Sequence, residues 1–123
     1  MNLKLIVSLY LFLIVLVCAC ERPLPTLERI DLSQWKNDKN GCAGKRVPMI
    51  QALQEQKNKL QGLTEMQIIA LLGRPDQNEL YSRNQKFYYY SLEPGKACGM
   101  NSESKRLSVR FNATGRAKEI ELE

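Results

Sequence analysis

The segment from Gly62 to Pro75 constrains this chain more than any other. Thr64 followed three residues later by Gln67 is the pattern of a capping box. Leu63 before the cap and Ile68 inside the helix are placed as a hydrophobic staple. Ile68, Ile69, Leu71 and Leu72 make the helix apolar around much of its circumference, so it must be deeply buried. Gly73 ends it and Pro75 prevents continuation. A preceding helix is expected over Pro48 to Gln61, with Pro48 at its first position and Met49, Ile50, Leu53 and Leu60 on one face. Gly62 is placed to cap it.

Beyond Pro75 the hydrophobic period changes from that of a helix to two. Glu79 to Ser82 reads as a short strand, Arg83-Asn84 as a turn and Gln85 to Leu92 as a longer strand. In that strand Phe87 and Tyr89 share one face, Tyr88 and Tyr90 the other. Lys105 to Asn112 alternates cleanly, with Leu107, Val109 and Phe111 inward and Arg106, Ser108 and Arg110 outward. Asn112 to Gly115 is a hairpin connection, and Arg116 to Leu122 returns with Ile120 and Leu122 inward. Helices first and antiparallel strands after predict an α+β domain: two helices packed on a three- to four-stranded antiparallel sheet.

The first seventeen residues have a different character. One cation, Lys4, precedes an apolar run from Leu5 to Val17, followed by small residues and a charged, proline-containing stretch. That is the layout of a secretory signal, short for a membrane span; an uncleaved N-terminal anchor is the alternative. Val17-Cys18-Ala19-Cys20 resembles the lipobox of bacterial lipoproteins, with an aliphatic residue at minus three, a small residue at minus one and then the modified cysteine. Valine stands where leucine is preferred, and Cys18 at minus two is unusual. The resemblance implies cleavage before Cys20, a lipid thioether on Cys20 and acylation of its amine. Two or more acyl chains anchor stably where one is marginal. Glu21 follows, rather than the aspartate that retains enterobacterial lipoproteins in the inner membrane, which favours the outer membrane.

Residues 1–19 are therefore read as signal peptide, 20–41 as lipidated cysteine and tether, and 42–123 as the domain. Pro23 and Pro25 favour extended backbone in the tether. Trp35 is read as packing back on the domain, with stacking on a ligand as its alternative. With Cys18 in the leader and Cys20 lipidated, Cys42 and Cys98 remain, and an exported chain permits a bridge between them. Closing so long a loop contributes on the order of 4 kcal/mol in the chain-entropy account. A reactive thiol or a metal pair is the rival reading, with neither a CxxC nor a histidine behind it.

The chain contains no histidine. That excludes Ser-His-Asp and Cys-His catalysis and removes the commonest metal ligand. Glu55, Glu65, Asp76 and Glu79 form no recognisable acid/base pair by spacing, and Asp76 after Pro75 reads as a turn residue. No enzyme, cofactor or metal is expected. The net charge of +5 is spread along the chain, with no nucleic-acid patch.

The run Gly62-Leu63-Thr64-x-x-Gln67-Ile68-x-x-Leu71-Leu72-Gly73-x-Pro75, with an aromatic strand after it, resembles the SmpA/OmlA domain of BamE-like outer-membrane lipoproteins. Leu63 stands where that family usually has methionine, and Cys42 and Cys98 lie outside its pattern. The specific residues span Leu60 to Leu92; the rest matches only in element order. The resemblance implies a two-layer sandwich on the periplasmic side of the outer membrane. It also implies a non-catalytic accessory or scaffold role beside the β-barrel assembly machinery or in envelope integrity. A membrane-tethered inhibitor or ligand-binding module using the sheet face is the alternative. Candidate partner contacts are Tyr88 and Tyr90, if their face is open, and the outward Arg106 and Arg110.

Overall fold

The computed structural model describes residues 2–17 and 22–123. The lipobox residues Cys18, Ala19 and Cys20, with Glu21, lie outside the described residues. Helix α1, Leu3–Val17, is uniformly apolar apart from Lys4 and Ser8. Its length is about 22 Å at 1.5 Å per residue, against about 30 Å of bilayer hydrocarbon. Among the described residues no helix is long and apolar enough to cross a membrane.

Helix α2 (Leu32–Asn37) begins on the Asp31 side chain, which accepts the Gln34 N–H at 3.1 Å. The helix expected over Pro48 to Gln61 is broken into three pieces: a 3-10 turn Val47–Met49, α3 (Ile50–Gln56) and a second 3-10 turn Lys57–Leu60. The break falls at Gln56, whose side chain is claimed by another segment. Its amide donates to the Glu28 carbonyl and its oxygen accepts the Glu28 N–H, both at 2.7 Å. One side chain thus pairs with a backbone as a neighbouring strand would. The tighter turn that follows still delivers Leu60 fully into the core.

Helix α4 (Glu65–Leu72) forms as expected. Thr64 Oγ1 accepts the Gln67 N–H at 3.2 Å, and the Gln67 side chain accepts the Thr64 N–H at 2.9 Å. Leu63 and Ile68 are both fully buried. Gly73 ends the helix at φ 81°, a left-handed conformation that a side chain would strain. Thr64→Ala is expected to lower stability by about 1 kcal/mol through loss of the cap. Chemical denaturation checks this, with an unchanged m-value as the control.

Four antiparallel strands follow in the order β1-β2-β3-β4: β1 Gln77–Tyr81, β2 Gln85–Ser91, β3 Arg106–Phe111 and β4 Ala117–Leu122. The β1–β2 turn places Arg83 and Asn84 at φ 63° and 57°, the paired left-handed residues that match strand twist in a tight hairpin. Tyr88 lies opposite Val109, which lies opposite Ile120, so these three share the helix-facing side. The start of β4 is extended by the link before α4: Gly62 donates to Ala117 O, and Ala117 donates to Leu63 O, each at 2.8 Å. Buried residues of α3, α4 and the inner sheet face form one core.

The segment read as a tether belongs to that core. Leu27 and Ile30 are buried in it, and Trp35 has no exposed surface. The chain turns between them at Arg29, φ 59°. The Trp35 indole donates to Leu72 O at 3.1 Å, closing the C-terminal end of α4. The reading of residues up to 41 as a linker is corrected accordingly. Its apolar residues are few, yet Leu27, Ile30 and Trp35 are buried against the helices and sheet, so burial outweighs the low local hydrophobicity.

Candidate functional site

One end of the domain is held by a buried polar knot. Arg46 is 2% exposed. Its guanidinium donates to Asp76 at 2.6 Å, to Ser91 O at 2.8 Å and to Trp35 O at 3.0 Å. It also lies 4.6 Å from the Trp35 ring centroid. Asp76 further accepts the N–H groups of Asn40 at 2.8 Å and Ser91 at 2.9 Å. Asp38, 1% exposed, accepts the backbone N–H groups of Ala43, Lys45 and Arg46. Asp76 is thus more than the turn residue its neighbour Pro75 indicates. Among the described residues every buried side-chain nitrogen and oxygen has a partner. The knot is satisfied from within and offers a ligand nothing.

Beside it a disulfide joins Cys42 to Cys98. It ties the turn after α2 to the excursion between β2 and β3, whose base is closed by Leu92 N–H on Lys105 O at 2.8 Å. Gly41 is required here: a Cβ would come within 3.1 Å of the Glu93 and Ser91 backbone.

The residues nominated as partner contacts divide by face. Tyr88 and Tyr90 are 7% and 0% exposed and point into the core. The condition on which they were nominated, an open face, is not met, because the helices cover it. Tyr90 donates to Gly73 O at 2.8 Å, and its burial pushes the phenol well above its usual pKa. Tyr88 donates to Glu65 at 2.9 Å; burial first, then that carboxylate, pushes its phenol up to about 12. Burial pushes the Glu65 carboxyl up as well, but hydrogen bonds from Lys86 and Tyr88 outweigh it and hold the group low.

Arg106 and Arg110 lie outward, as alternation requires. Arg110 is engaged with Glu119 through two hydrogen bonds, at 2.6 and 3.1 Å. Hydrogen bonding and charge from Arg110 hold the Glu119 carboxyl below its ordinary range. Arg106 is freer: it pairs with Glu123 at 3.3 Å and lies 3.8 Å over the Tyr89 ring.

The other half of the Phe87-Tyr88-Tyr89-Tyr90 run lies on the outer sheet face, where Phe87 is half-buried and Tyr89, 5% exposed, is covered by Arg106. Phe87 stacks on Tyr89 with centroids 5.9 Å apart and meets Tyr81 edge-on at 5.1 Å. Tyr81 donates to Glu79, and that hydrogen bond pushes its phenol up to about 12. At the disulfide end this face opens into a cleft of about 780 Å³, lined by Gln77, Tyr89, Ser91, Arg106 and Glu123 and by Lys96, Ala97, Glu103 and Ser104 of the excursion. Its groups are hydrogen-bonding and aromatic, with cations and carboxylates interleaved, a surface suited to recognition.

A family model described as the outer membrane protein assembly factor BamE domain matches residues 53–121. The chain belongs to the BamE domain family. No curated protein and no solved structure matches it. The match runs from Leu53 in α3 to Glu121 in β4, so it contains α4, β1 to β3 and most of β4, while the core residues Met49 and Ala52 precede it and Glu123 of the cleft follows it. Trp35, Cys42 and Arg46 precede it; their contacts dock the upstream segment onto the BamE domain through Leu72, Asp76, Ser91 and Cys98.

Proposed function

We propose that this protein is a lipid-anchored, non-catalytic accessory factor of outer-membrane protein assembly, facing the periplasm. Residues 1–19 act as its signal peptide, and Cys20 carries the lipid. The observation that carries the reading is the BamE match across residues 53–121, in a chain that folds there into two helices on a four-stranded sheet. The lipobox resemblance supports the anchor. The partner is a protein of the envelope, met through the outer sheet face around Arg106 and Tyr89.

The test is a cross-linked pull-down of the full lipidated protein from native membranes, read by mass spectrometry. Enrichment of β-barrel assembly components is the expected outcome. Recovery of one unrelated envelope protein would instead favour a tethered inhibitor or ligand-binding module, with the polar cleft beside Arg106 as its binding surface. Cys20→Ala is expected to move the protein from the membrane fraction to the soluble fraction. Retention in the membrane would identify α1 as an uncleaved anchor.

A further inference from the structure

We infer that the domain lies face-down on its membrane, with Arg22, Leu24, Met66 and Arg116 in the phospholipid headgroup layer and the Arg106 cleft turned away. The inference rests on Cys20 bearing the lipid, as proposed above.

The chain after the anchor is docked. The Arg22 carbonyl accepts from the Gln67 side chain at 3.0 Å, and the Arg22 guanidinium donates to Gln61 O at 3.1 Å. Lys59 donates to Thr26 O at 3.1 Å, and Leu27 enters the core. Cys20 precedes Arg22 by two residues, a reach of at most about 7 Å. A free linker of the length expected from sequence would instead let the domain wander on the order of 25 Å from its anchor. The acyl chains therefore start beside one corner of the domain.

That corner has the chemistry of a membrane interface. The Arg116 guanidinium donates to Gly62 O at 3.0 Å, next to the Gln61 carbonyl that holds Arg22, so the two cations converge on one turn. Among the described residues neither forms a salt bridge. Beside them Met66 is 76% exposed and Leu24 44%, on the walls of one shallow groove. Guanidinium groups bind lipid phosphate while flexible apolar side chains enter the acyl boundary.

The sheet then sets what faces away. Phe111 and Ala117 mark the end of β3 and β4 at this corner, and Arg106 and Leu122 mark the opposite end. Five residue steps of strand separate them, about 17 Å. The cleft and its excursion are thus presented on the side remote from the bilayer.

The test uses the full lipidated chain in vesicles of phosphatidylcholine and phosphatidylglycerol. An environment-sensitive fluorophore is placed on Met66→Cys or on Glu103→Cys. Label at position 66 is expected to be quenched several-fold more by doxyl-labelled lipid than label at 103, with the order reversed for aqueous iodide. Arg22→Ala with Arg116→Ala is expected to abolish the lipid quenching at 66, while the protein still floats with vesicles and keeps its near-ultraviolet circular dichroism. Equal iodide quenching at both positions in a protein that floats would overturn the orientation and leave the anchor standing. Failure of the parent chain to float would overturn the anchor, and the orientation with it.

Discussion

Arg46→Ala is expected to destabilise the domain by about 3–5 kcal/mol, because it strands the buried Asp76 carboxylate without its cation. The side chains of the pair are 2% and 3% exposed, so water cannot replace the lost partner without opening the fold. The same substitution orphans one hydrogen bond each at Ser91 O and Trp35 O. An apolar replacement of both members, such as Arg46→Met with Asp76→Leu, is often harmless for an isolated buried pair. It is not expected to be harmless here, since Asp76 also accepts from Asn40 and Ser91 backbone groups. Urea unfolding of the single and double variants measures both effects. A loss below about 1 kcal/mol for Arg46→Ala would mean that solvent reaches the knot, against the burial on which the argument stands.

Trp35→Ala is expected to cost a similar amount, about 3–5 kcal/mol for deleting a fully buried indole. Trp35 packs at 6.1 Å from the Tyr90 ring and caps α4 through Leu72 O. Trp35→Phe separates these contributions: it keeps most of the packing and leaves the Leu72 carbonyl unpaired, a loss of about 1–3 kcal/mol. Because Arg46 lies against the same ring, the two alanine substitutions are expected to be less than additive. The measurement also decides whether residues 27–46 are part of the folding unit. If Trp35→Ala left the unfolding midpoint unchanged, the segment would be a tether resting on the surface.

Local chemistry explains what could be read in advance. The Thr64–Gln67 box, the Gly73 stop and the turn at Arg83-Asn84 are decided within a few residues of themselves, and each forms where its residues predict. The outward placement of Arg106 and Arg110 follows from alternation in one strand. Tyr88 and Tyr90 show the limit of that logic. A run of four aromatics has period two on both faces, and only the register with Val109 and Phe111 says which pair goes inside. The same limit applies to helix α3, where the demand of the Glu28 backbone on Gln56 ends a helix that periodicity would continue.

The α+β order, the capped helix, the strands with their alternation and the resemblance to BamE-like proteins were legible in the residues, because each is carried by near neighbours. Long-range packing placed the upstream segment in the core, made Asp76 the buried partner of Arg46 and turned Tyr88 and Tyr90 inward. Each of those outcomes depends on residues far apart in the chain: Trp35 with Leu72, Arg46 with Asp76, Tyr88 with Val109. Burial belongs to the packed whole. A charged or aromatic side chain carries the same local signal whether it ends in water or in the core, and the partner that settles the matter arrives from elsewhere in the fold.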